Sequence, residues 1–193
     1  GRTLLVWGLT GDGGAKTLQL DVADGSASPL PGSQNCAFPH WSTTSDAVLC
    51  VQRNPAVARI VRRRLDTGEE KVLLEARRLP TPNAPLSPDG RWLAFMSEDS
   101  KGLNVVPAEG GEPREVFRSE SKDEMLWPMS WTPDSRYVLC RTGREVWRIP
   151  ASGGEARKLA IPVKGLRDLR VHPDGKRVAM WAQEPGSEIW MLE

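Results

Sequence analysis

Apolar residues fall in short runs along this chain: "WLAFM" (92–96), "YVLC" (137–140) and "VAMW" (178–181), each bounded by Gly, Pro, Asp or Ser. Runs of this length between turn-forming residues predict strands joined as hairpins. No segment sustains the 3.6-residue apolar period of an amphipathic helix. Each run is followed by a polar loop and a second run ("GLNVV", "EVWRI", "SEIWML"). In two copies a Gly-Gly turn then leads to an alternating polar and apolar segment, "EPREVF" or "EARKLA". A further short strand leads into each unit: "NCAFPHW", "NAPLS", "WPMSW" and "RDLRVH". The pattern therefore reads as antiparallel strands in groups of four.

The groups recur at a fixed step. "LSPDGRWLAF" (86–95), "WTPDSRYVLC" (131–140) and "VHPDGKRVAM" (171–180) share one pattern, and its fifth letters, Gly90, Ser135 and Gly175, are 45 and 40 residues apart. A step of 45 back from Gly90 reaches Ser45 in "WSTTSDAVLC", a copy without Pro-Asp, and 44 more reaches Gly1, where "GRTLLV" overlays "GRWLAF". A second landmark keeps the same time: "VPAEGGEPREV" and "IPASGGEARKL" start 43 apart, at Val106 and Ile149. Trp7 matches Trp181, Trp41 matches Trp131, and Trp147 matches Trp190. Four antiparallel strands in about 43 residues is the unit of a β-propeller blade. The expected fold is all-β: one propeller domain over 1–193 with about five blades represented, near 1–34, 35–79, 80–122, 123–163 and 164–193. Counting strands gives three, four, four, four and three, the first blade lacking its inner strand and the last its outer one. A longer parent with further blades upstream, and self-association through the incomplete terminal blades, are the corresponding expectations.

The repeated acid is assigned to the turn between first and second strands. In Ser87-Pro88-Asp89-Gly90 the serine accepts from the backbone, Pro presets φ, Asp bonds local amides and Gly closes the turn. Pro133 and Asp134, and Pro173, Asp174 and Gly175, repeat the scheme, and acids placed one per blade do not converge on a metal or a substrate.

The repeated "SPDGR…LAF…GGE" pattern resembles the TolB-like, WD-related propeller repeat of bacteria and covers essentially the whole chain. The stretch "EVWRIPASGGEARKL…SEIWMLE" further resembles the C-terminal end of large bacterial proteins in which such a propeller follows a serine/threonine kinase or a winged-helix module. That resemblance implies a non-catalytic sensing or docking part of a multidomain regulator. Two alternatives stand beside it: the substrate-gating propeller of a prolyl-oligopeptidase-like peptidase, and a stand-alone periplasmic TolB-like propeller. A cytoplasmic and a periplasmic setting both remain open.

Composition and candidate chemistry narrow this reading. Twenty-six basic against twenty-five acidic residues leave a net charge of +1, without the electrostatic footprint of a nucleic-acid or anionic-membrane binder. No apolar run approaches the ~20 residues of a membrane span, so no insertion by this segment is expected. Three cysteines without a CxxC pair point to free buried thiols, with Cys50 and Cys140 at equivalent places in two repeats. "GLTGDGGAKT" (8–17) carries Gly14 where a phosphate loop needs Lys, and reads as a hairpin loop. There is no GxSxG, and His40 and His172 are the only histidines, so neither hydrolysis nor a cofactor or metal site is expected. Arg62, Arg63 and Arg64 read as a solvated face of an outer strand.

A propeller binds ligands at the mouth of its channel, built from loops that enter the innermost strands and loops between second and third strands. Residues there that break the repeat are the candidates for a protein or small-molecule ligand: Trp127, and Arg167, Asp168 and Arg170 on an innermost strand. The rival structural reading has Trp127 filling the core and Arg167 paired with Asp168.

Overall fold

The computed structural model describes residues 3–9, 15–30, 36–53, 56–79, 84–120, 125–183 and 188–192. Every regular element among them is a strand, seventeen in all, paired antiparallel in five sheets. Gly1 and Arg2 lie outside the described residues. The chain divides into two compact units, 1–84 and 85–193.

In the first unit β1 (Thr3–Leu9), β2 (Ala15–Asp21) and β3 (Ala27–Pro29) form a three-stranded sheet in chain order. Pairing of Leu9 with Ala15 makes "GLTGDGGAKT" the hairpin connection expected of it, although residues 10–14 themselves lie outside the described set. β4 (Ala37–Trp41), β5 (Ala47–Arg53), β6 (Ala58–Arg64) and β7 (Glu70–Ala76) form a four-stranded sheet, also in chain order. On β5, Ala47, Val48, Leu49, Cys50 and Val51 are all buried, so this strand has apolar partners on both faces. Val48 and Cys50 meet Leu30, Cys36 and Val61 in one cluster.

Two expectations need correction here. Cys36 and Cys50 form a disulfide, with Cα atoms 5.3 Å apart, and only Cys140 is a free, buried thiol. The period aligned Cys50 with Cys140 and concealed its real neighbour, because Cys36 reaches it through the β4–β5 pairing, not through sequence spacing. The run Arg62–Arg64 lies on β6, the third strand of its sheet, and not at the outer rim. There the arginines have acidic neighbours: Asp46 at 3.7 Å from Arg62, Glu70 at 3.5 Å from Arg63 and Asp66 at 2.7 Å from Arg64.

In the second unit β8 (Trp92–Met96), β9 (Gly102–Pro107) and β10 (Arg114–Arg118) form a three-stranded sheet. The inner strand expected at "NAPLS" is reduced to one isolated bridge, Leu86 to Leu93. β11 (Leu126–Trp131), β12 (Tyr137–Thr142), β13 (Glu145–Pro150) and β14 (Arg157–Leu159) form a full four-stranded sheet. β15 (Leu166–Val171), β16 (Val178–Ala182) and β17 (Glu188–Leu192) complete the set with a three-stranded sheet and no outer strand among the described residues.

The β11–β14 sheet shows why its strands are apolar on both sides. Val138, Cys140 and Ile149 pack with Leu103, Val105 and Val116 of the preceding sheet, while Leu139 and Val146 pack with Leu166, Leu169 and Met180 of the following one. Burial of each such side chain contributes roughly 1.5–3 kcal/mol. The first and last sheets differ: β1 exposes Leu4 and Val6, and β16 exposes Trp181.

Candidate functional site

The turns that carry the repeated acid are built alike. In the first, the Gly90 amide donates to the Ser87 carbonyl at 2.8 Å, and the Ser87 hydroxyl donates to Asp89 Oδ1 at 2.6 Å while accepting from the Trp92 amide at 2.9 Å. Asp89 also accepts from the Arg91 amide and guanidinium. In the second, the Thr132 hydroxyl donates to Asp134 Oδ1 at 2.5 Å and the Arg136 amide donates to the same oxygen at 3.1 Å. In the third, Asp174 accepts from the Lys176 amide at 2.9 Å and from Arg177 at 3.0 Å, with His172 beside it at 3.0 Å. The closing residues Gly90, Ser135 and Gly175 have φ of 74°, 59° and 71°, the left-handed region in which glycine is favoured. Pro88, Pro133 and Pro173 stand one place after the residue that opens each turn, as the sequence pattern requires.

The degenerate copy keeps the turn by moving its acid. The Ser45 amide donates to the Ser42 carbonyl, Ser45 has φ of 58°, and the Ser42 hydroxyl donates to Asp46, two positions later than the acid of the other copies. The β8–β9 hairpin uses the device again, with the Ser97 hydroxyl donating to Asp99 and the Lys101 amide to the same oxygen. All these carboxylates are engaged by their own turns.

That engagement sets their titration. The Thr132 hydroxyl holds the Asp134 carboxyl below the ordinary carboxylate range, and the Lys176 amide is the first cause that holds Asp174 at about 2. A carboxyl depressed in the folded chain stabilises it above the unfolded pKa and loses that effect as pH falls through the folded value. Asp134→Ala is expected to destabilise the chain by about 1 kcal/mol at neutral pH, through lost turn hydrogen bonds at an exposed position. Urea denaturation should show the difference shrinking below about pH 4, the ordinary carboxylate range. A variant of unchanged stability that had lost partner binding would assign the acid to a site instead.

The other candidates lie at one end of the β11–β14 and β15–β17 sheets. A pocket of about 540 Å³ is lined by Arg141, Arg144, Lys164 and Arg167, with Val163, Leu166 and the glycines 143 and 165 as its apolar and backbone walls. Arg144 is carried at the tip of a two-residue hairpin, since Thr142 pairs with Glu145 and Gly143 takes a φ of 51°. Lys164 sits in the turn before β15, tied down where the Gln183 amide donates to the Gly165 carbonyl. Arg167 is the extra residue of a β-bulge, because Leu166 pairs with Ala182 while Asp168 pairs with Trp181. A bulge re-aims its side chain and interrupts the ladder.

Trp127 belongs to this end as well. It pairs with Arg141 across β11 and β12, and the Arg141 guanidinium lies 5.9 Å from the Trp127 ring centre. Arg141 also donates to the Gly143 carbonyl at 2.8 Å, which orders the hairpin base. Trp127 is half-buried, so it neither fills the core nor stands free.

The expected pairing of Arg167 with Asp168 is replaced by another. Asp168 Oδ2 is 3.1 Å from Arg170, two residues on and on the same strand face, and its Oδ1 accepts from the Leu169 amide at 2.9 Å. Arg170 also donates to the Met129 carbonyl. Asp168 and Arg170 therefore brace β15 against β11, and Arg167 is left to the pocket.

Sequence reasoning passed over Arg141, Arg144 and Lys164. A signal existed for the first: its slot in the repeat holds Trp7, Val51, Met96 and Trp181 elsewhere, so a charged residue there breaks the period. For the other two no such signal exists, because charged loop tips are ordinary.

Comparison with known proteins agrees with this architecture. No family model matches the chain. Over 111 residues it is 28% identical to DDB1- and CUL4-associated factor 13 of Gallus gallus, a stretch that is 52% of this chain and 24% of that protein. Among solved structures, TolB from Acinetobacter baumannii matches 92% of the chain at a TM-score of 0.73 and 17% identity, and the matched part is 46% of the TolB chain. A chain of a nidogen/laminin complex matches 93% of it at a TM-score of 0.68 and 15% identity, over 70% of that chain. The chain thus spans about a quarter of the curated relative and less than half of this TolB chain. Its sheets, their order and these likenesses establish the fold as an all-β, TolB-like β-propeller with incomplete blades.

Proposed function

We propose that the chain is a non-catalytic protein-interaction propeller whose partner docks at the end bearing Trp127, Arg141 and Arg167. The observation that carries this is the division of charge. The repeated acids are spent inside their turns, whereas Arg144, Lys164 and Arg167 make no ion pair among the described residues and surround one pocket. A partner that supplies the missing counter-charges is the natural occupant of such a surface. The wording of residues 145–193 supports a place in a multidomain bacterial regulator, downstream of a kinase or winged-helix module. Exposure of Leu4 and Val6 on β1 and of Trp181 on β16 supports association through these two sheets, with further blades or with another copy.

The test is a binding comparison with a partner isolated on the wild-type chain. Trp127→Ala and Arg167→Ala are expected to weaken the complex about tenfold, and Arg63→Ala, whose arginine sits beside Glu70, less than about twofold. Equal losses from all three would move the site away from this end.

One observation favours the periplasmic TolB-like alternative. A disulfide such as Cys36–Cys50 persists in oxidising compartments and is uncommon in a reducing cytoplasm. Under this reading the propeller works outside the cytoplasm, alone or as the exported part of a larger chain.

A further inference from the structure

We infer that the pocket formed by Arg141, Arg144, Lys164 and Arg167 takes a short acidic peptide segment, its carboxylates set between the four cations. This rests on the protein-interaction reading above and names the chemistry of the partner. Four basic side chains line one hollow of about 540 Å³, and no acidic side chain shares that lining. The neighbouring acids are committed elsewhere: Asp168 to Arg170, and Glu145 to Lys158. Arg144, Lys164 and Arg167 have no such partner among the described residues, so a carboxylate arriving at these three displaces no ion pair among those residues.

Geometry selects a peptide over a nucleic acid. A nucleic-acid backbone needs a basic stripe that follows successive phosphates over many ångströms. The cations here instead ring a compact hollow with apolar walls, Val163 and Leu166, and bare backbone at Gly143 and Gly165. Alternating carboxylate and aliphatic side chains match that lining. Arginine supplies the planar fork that grips a carboxylate with two parallel hydrogen bonds, and three of the four cations are arginines. Arg141 lies 5.9 Å from the Trp127 ring centre and donates to the Gly143 carbonyl, so its charge is positioned before binding, which reduces the ordering cost.

The experiment is fluorescence anisotropy with the full chain and a labelled peptide of sequence Asp-Glu-Leu-Asp-Glu-Leu, beside its amide counterpart Asn-Gln-Leu-Asn-Gln-Leu. Binding of the acidic peptide is expected to exceed that of the amide peptide by about tenfold or more, and to weaken as salt rises from about 50 to 300 mM. Arg144→Glu and Arg167→Glu, both at exposed positions, should each weaken it about tenfold at unchanged melting temperature, with Arg63→Glu as the comparison. Equal binding of the two peptides, no binding of either, or an Arg63→Glu loss as large as that of Arg167→Glu would overturn the inference. So would tighter binding of a ten-residue thymidine oligonucleotide. The partner complex described above separates the two levels: if it depends on Arg167 while the acidic peptide fails to compete for it, the acidic-segment inference falls and the interaction reading stands.

Discussion

Trp131→Ala is expected to destabilise residues 85–193 by about 4 kcal/mol, the scale for truncating a buried aromatic side chain. The ring sits at the end of β11, only 4% exposed, and packs with Ala94, Leu126, Val138 and Cys140 between two sheets. Its indole N–H donates to the Pro85 carbonyl at 2.9 Å, which ties the segment before the first turn to the next sheet. Alanine removes both contributions and leaves that carbonyl to the Ala94 amide, which donates to it at 3.1 Å. Trp131→Phe retains most of the apolar contact and loses the hydrogen bond, so it should cost about 1–2 kcal/mol. Trp41 occupies the same slot of an earlier repeat, and its buried ring nitrogen has no hydrogen-bond partner among the described residues. Trp41→Phe should therefore cost less than Trp131→Phe. Urea denaturation followed by circular dichroism measures all three. A Trp131→Phe variant as stable as wild type would show that the indole bond contributes nothing, and a mild Trp131→Ala would displace the ring from the core.

Much of this fold was legible because the repeat states it five times. Three intact turns carry Pro-Asp, and a strand apolar on both faces, such as β12, needs a sheet on each side. What failed to show was whatever depends on pairing and not on period. The disulfide joins Cys50, which the alignment matched with Cys140, to Cys36, which the repeat did not place, and the bulge at Arg167 follows from a one-residue offset between β15 and β16. The reduced inner strand at Leu86 was equally hidden, since "NAPLS" has the apolar content of a strand but not the length to pair as one. Among the residues that break the repeat, Arg167 lines the pocket and Trp127 lies near Arg141 beside it. Asp168 and Arg170 broke it too, yet they pair with each other, which shows that departure from a period marks a special role without saying whether it is binding or bracing.

Loss of the Cys36–Cys50 disulfide should destabilise residues 1–84 by about 3 kcal/mol. Cys36 stands just before β4 and Cys50 lies on β5, fourteen positions apart, and the bond closes a loop of a size for which the chain-entropy account gives about that value. Both side chains also belong to the cluster with Leu30, Val48 and Val61, so the double variant Cys36→Ala, Cys50→Ala adds a packing loss to the entropic one. The first unit has a three-stranded and a four-stranded sheet and a small shared core, which makes a cross-link there matter more than in a large domain. Cys140 offers an internal reference: burial raises its thiol pKa far above the ordinary range, so it stays protonated and unreactive in the folded chain. Alkylation followed by mass measurement should label no thiol in the folded oxidised chain, one after unfolding without reductant, and all three after reduction. Reduction should also lower the melting temperature of the chain. Three labelled thiols without reductant would show that the disulfide does not form in the purified chain, and an unchanged transition after reduction would show that it forms without stabilising the fold.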